Sequence, residues 1–184
     1  MTTTIEEFVD ERGIKSLFHF TRLSNLRSVL SKGLLTKEAC ARASINPSIN
    51  DPYRYDGTGA ISATISYPNY KMFYRLRCDN PDVEWVVLKL KRSLLWRTSC
   101  AFSDTNAGDG SVYNVSISRR QGISALQSMF GDYGHIQRAT LKIPEHYTTN
   151  PQAEVLLLDG TTVDDVKGVY FQRSATHQQY IAQQ

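Results

Sequence analysis

The stretch VEWVVLKLK, residues 83 to 91, reads as a β-strand more clearly than any other part of the chain, and it commits the fold to a sheet. Two further apolar runs, AEVLLLD at 153 to 159 and KGVYF at 167 to 171, close the chain as strands, with a polar turn or short helix around TTVDD between them. No run reaches membrane-spanning length, and the acidic N-terminus has no apolar segment behind it. These features lead us to expect a soluble cytoplasmic protein with no membrane contact. With 184 residues, a single domain over 1–184 with one sizeable core is expected.

The N-terminal half mixes both periods. Thr4 and Glu7 have the spacing of a capping box for a helix over 5 to 12, which Gly13 can stop. LFHF at 17 to 20 is a short strand, and SNLRSVLSKGLL is a helix with Ser24 as N-cap and Gly33 at its end. Residues 36 to 59 carry Pro47, Pro52, Gly57 and Gly59 without a period, and read as a long loop with at most a helical turn. ISATIS at 61 to 66 alternates as a strand, PNYKMFYRLR is a helix beginning at Pro68, and GISALQSMFG at 122 to 131 is a short amphipathic helix. A second long loop is expected over roughly 98 to 118. About five strands and four helices, interleaved without βαβ repetition, favour an α+β domain. No GxGxxG or GxxxxGK follows a strand, so neither of those loops holds a nucleotide here.

Cys40, Cys78 and Cys100 form no pairing framework, which suits a reducing compartment. His19, His135, His146 and His177 lack metal-ligand spacing, so no metal is expected. The net charge of +3 permits contact with phosphates without demanding it.

Chemistry concentrates in a few segments. In NPQAEVLLLDG, residues 150 to 160, Gln152 and Glu154 stand two apart, so a strand there would put both on one side. A carboxylate at the mouth of an apolar strand is either a rim charge or a catalytic group. In HFT, His19 and Thr21 likewise share a side where the chain leaves its first strand, although a histidine in an apolar strand is more often a satisfied core residue. Arg54, in NDPYRYDG between two aromatic rings and two aspartates, is either a solvated ion pair or a guanidinium for diphosphate. Tyr70, Phe73 and Tyr74, with Arg75 and Arg77, divide one helix between core and a stacking surface.

Taken in order, HFT, the helix ending in KGLL, the long loop with RYDG, ISATISYPNYKMFY and NPQAE resemble the DarT family of DNA ADP-ribosyltransferase toxins, over about residues 17 to 172. The resemblance implies a single-domain ADP-ribosyltransferase fold with a split mixed or antiparallel sheet and flanking helices. It implies NAD+ as co-substrate, a base of single-stranded DNA as acceptor and release of nicotinamide. Glu154 matches the catalytic glutamate and Arg54 the loop arginine needed for activity. His19 and Thr21 match the NAD-binding strand, and Tyr74, with Phe73 beside it, the position that stacks on nicotinamide. Gln152, Tyr53 and Arg75 fall to the acceptor side. RYDG with NPQAE looks closer to the compact, guanine-modifying branch than to the thymine-modifying one, and a guanine specificity implies an antitoxin of the NADAR type rather than a macrodomain. Two rival readings are an ADP-ribosyltransferase acting on RNA or protein, which Q-x-E alone also fits, and a non-catalytic nucleotide- or DNA-binding module.

Overall fold

A computed structural model describes residues 4–49 and 58–182. β3 (Trp85–Lys91) pairs along its whole length with β1 (Ser16–Arg22), and β6 (Val166–Phe171) flanks β3. On the other flank of β1 lie β2 (Ile61–Ile65), β5 (Glu154–Leu157) and β4 (Cys100–Ser103), giving the order β4-β5-β2-β1-β3-β6 with every neighbouring pair antiparallel. Alternation sends Leu17, Leu88, Leu90, Ala63, Val155 and Phe102 to one side, where all are buried. α1 (Ile5–Glu11), α2 (Leu26–Lys32), α5 (Leu94–Arg97) and α7 (Ile123–Ser128) close over this side and add Val9, Leu26, Leu94 and Leu126 to one continuous core. Completing the chain are α3 (Lys37–Arg42), α4 (Tyr70–Asp79), α6 (Gly110–Tyr113), α8 (Arg138–Leu141) and α9 (Ser174–Ala182), which packs beside β6.

Local signals explain several boundaries. The Thr4 and Glu7 capping box is present, with Thr4 Oγ accepting from Glu7 N and the Glu7 carboxylate accepting from Thr4 N. Gly33 ends α2 at φ +82°, and its freedom is needed twice over, because a Cβ there would overlap the Thr161 backbone. The close approach is fixed by Thr161 N–H donating to Leu34 O at 2.8 Å and by Leu34 N–H donating to Thr161 Oγ at 2.9 Å. Gly33→Ala is therefore expected to lower unfolding stability by about 3 kcal/mol or more, read from urea melts; a wild-type midpoint would contradict this contact.

Four expectations change. The loop over 98 to 118 contains β4, whose four residues are all buried, so no polar alternation marks it as a strand. Asn69 rather than Pro68 opens α4, because its side chain accepts from Met72 N. Ser24 does not cap α2; it lies in a 3-10 turn over Leu23–Asn25. The long loop after α2 holds a six-residue helix, α3, capped by Thr36.

Candidate active site

The ladder between β1 and β2 consists of two pairs, Leu17 with Ile65 and Phe18 with Thr64, after which β1 continues with β3 and β2 with β5. The sheet thus splits into β4-β5-β2 and β1-β3-β6. His19 is the first residue past the last pair, and its Nδ1 lies 2.6 Å from the Ser62 carbonyl across the split. A carbonyl only accepts, so Nδ1 carries the proton and the ring is oriented across the cleft. Thr21 is buried, and its Oγ accepts from Asn25 Nδ2 at 3.0 Å. Asn25 in turn donates to Ser48 O at 2.9 Å and accepts from Ser48 N at 2.9 Å, tying the approach to the first long loop onto the end of β1.

Glu154 opens β5 opposite Ser103 and is only 5% exposed. One carboxylate oxygen accepts from the Ala107 N–H at 3.0 Å and the other from Asn106 Nδ2 at 3.2 Å. Hydrogen bonds of this kind are what a buried carboxylate requires to remain in place. Ser103 is in turn engaged by the buried Arg120, whose Nη1 donates to Ser103 Oγ at 3.1 Å. A small second cluster of Ala60, Ala101, Ala107 and Leu156 lies on the Glu154 side of the sheet and backs the site.

Gln152 does not share the strand with Glu154. It occupies the preceding turn, with its N–H donating to Asn150 Oδ1 at 3.0 Å, so strand alternation does not set its direction. The segment leading into this turn is held from outside: Ser66 Oγ donates to His146 O at 2.7 Å, and the Arg138 guanidinium donates to Tyr147 O, Thr149 Oγ, Pro144 O and Glu145 O at 2.8 to 3.2 Å.

On α4 the aromatic residues divide. Phe73 stacks on Phe20 with centroids 4.8 Å apart and meets Trp85 edge-on, which puts it across β1 from His19 and Thr21. Tyr74 is 64% exposed, and Arg75 pairs on the surface with Asp79 at 3.6 Å. Tyr53 and Arg54 lie outside the described residues. Sequence reasoning missed Asn106, Ala107 and Arg120; the only available signal was that they sit in or beside a long polar loop.

A six-stranded sheet opened between its two central strands, with a histidine at the opening and a buried glutamate heading β5, one strand further out, defines an ADP-ribosyltransferase-like α+β domain. The family model described as "ssDNA thymidine ADP-ribosyltransferase, DarT" matches residues 18–183, and the chain belongs to this family. The same fold occurs in Thermosipho africanus DarTG in complex with ADP-ribose, with a TM-score of 0.60 and 15% sequence identity over 92% of this chain and 47% of that one. The chain therefore spans about half the length of that structure's chain. No curated protein sequence matches it.

Proposed function

We propose that this chain transfers ADP-ribose from NAD+ to a base of single-stranded DNA, releasing nicotinamide, and that it acts as the toxin of a toxin–antitoxin pair in the cytoplasm. The observation that carries this reading is the buried Glu154 carboxylate one strand from the split in the sheet, gripped by the Ala107 N–H and Asn106 amide, in a chain of the DarT family. Breaking the bond between nicotinamide and ribose develops positive charge on the ribose. A fixed carboxylate hydrogen-bonded to the ribose 2′-hydroxyl stabilises that charge most strongly at the transition state. Glu154 fills this role, and the same group accepts the proton of the attacking base nitrogen. Its donors hold it without reorganisation, which is where such a site gains over water.

The resemblance assigns the remaining residues to the dinucleotide and the acceptor. His19 and Thr21 bind NAD+ from β1, Tyr74 and Phe73 support the nicotinamide, and Arg54 meets the diphosphate. Gln152, Tyr53 and Arg75 orient the acceptor. The family model is described for thymidine, whereas the resemblance of RYDG with NPQAE to the compact branch favours guanine. The antitoxin is an ADP-ribosyl hydrolase, of the NADAR type if the base is guanine and a macrodomain if it is thymine. Among the described residues no helix is long and apolar enough to cross a membrane.

Mass spectrometry of single-stranded oligonucleotides lacking either guanine or thymine, incubated with protein and NAD+, tests the reading. One ADP-ribose on a strand names the base. Nicotinamide release with no strand modified moves the acceptor to RNA or protein, and no release at all returns the chain to a binding module.

A further inference from the structure

On the side of the sheet that carries Glu154, the half-sheet β1-β3-β6 presents a row that the described fold covers only in part. Phe18, Lys89 and Gly168 lie opposite one another in register, with Val87 and Tyr170 paired one step along and Lys91 two residues from Lys89 on the same side. α4 covers one end of this side, over Phe20 and Trp85. Beyond it Tyr170 is 53% exposed, the Phe18 and Lys89 side chains are half-buried, and a Cβ on Gly168 would meet nothing within 4 Å. The Phe18 and Tyr170 rings reach across β3 to within 6.4 Å of each other.

The charges of this row are uncommitted, which separates them from other basic groups nearby. Arg92 pairs with Asp10 and donates to Ile14 O, Arg75 pairs with Asp79, and Arg77 lies over the Phe73 ring. Among the described residues neither Lys89 nor Lys91 has an ion-pair partner. Two lysines interleaved with two aromatic rings on an open strand face match the needs of a single nucleic-acid strand: cations for phosphates and π-faces for bases.

We infer that this row is a track for the single-stranded DNA that flanks the base presented to Glu154. Bases stack on Tyr170 and Phe18, and phosphates meet Lys89 and Lys91. At about 4.8 Å per strand, β3 and β6 lie roughly 14 and 19 Å from β5, a span of a few nucleotides. The inference rests on the DNA-acceptor reading above and adds to it the surface that holds the strand.

Binding of a fluorescent single-stranded oligonucleotide, measured by anisotropy without NAD+, tests the track apart from catalysis. Tyr170→Ala is expected to weaken binding about tenfold and Tyr170→Phe to restore it, since the ring rather than the hydroxyl does the stacking. The double change Lys89→Gln with Lys91→Gln should flatten the slope of log affinity against log salt by about 1.4, while Lys32→Gln on α2 leaves the slope in place. Unchanged binding in the Tyr170 and double-lysine variants overturns the track, as does a loss of NAD+ affinity in Tyr170→Ala, which would assign the face to the co-substrate. If the unaltered protein binds the oligonucleotide through these residues yet never modifies it, the catalytic reading fails and the track stands. If it modifies DNA and the variants bind as tightly, the track alone fails.

Discussion

Glu154→Ala is expected to reduce ADP-ribose transfer roughly a thousandfold or more, because under the proposed mechanism it removes a carboxylate aimed at charge that appears only as nicotinamide departs. Binding of NAD+ should change little, since that interaction contributes mainly at the transition state. Stability should fall modestly, by about 1–3 kcal/mol, as the Ala107 N–H and Asn106 amide lose their shared acceptor. Single-turnover transfer to an oligonucleotide, run beside an NAD+ titration, separates these effects. Lost NAD+ affinity with transfer largely preserved would assign Glu154 to ground-state binding instead.

Arg138→Ala is the second large expected effect, and it acts through another segment. One guanidinium gathers three carbonyls and a hydroxyl from residues 144 to 149 and lies over the Phe130 ring, so it sets the shape of the segment leading into Gln152 and Glu154. Its removal leaves these acceptors without their common donor, with an expected loss of about 2–4 kcal/mol of local stability. Because that segment leads into Gln152, the proposed acceptor contact, the oligonucleotide KM should rise far more than the KM for NAD+. Arg138→Lys should recover little, since an ammonium cannot fork to four acceptors in fixed directions. Hydrogen exchange at amides 144 to 153 gives the readout independent of activity, and unchanged protection there would show the segment to be held by Ser66 and its own turns.

Much of the frame was legible because it rests on local chemistry. The Thr4 and Glu7 capping box, the glycine ending α2 and the alternation within β3 are all set by neighbours in sequence. Glu154 at the head of an apolar strand was legible for the same reason. Features set by distant partners were not. β4 became a strand only because β5 pairs with it, and the donors to Glu154 come from 47 and 48 residues away. Gln152 was misread because a period of two extended into a turn makes the same prediction as a strand. Lys89, Lys91 and Arg92 look equivalent in sequence; register gives two of them to the open face, and a contact with Asp10 removes the third.

The order in which the strands leave the ribosome bears on how the sheet is assembled. β1, β2 and β3 are adjacent in the sheet and all precede residue 92, so the centre is complete early in synthesis. β4 pairs only with β5 within the sheet, and β5 begins with Glu154. A chain that ends before β5 therefore lacks Glu154 and the docking site for β4 at the same time. Assembly of the second half-sheet and placement of Glu154 become one late event.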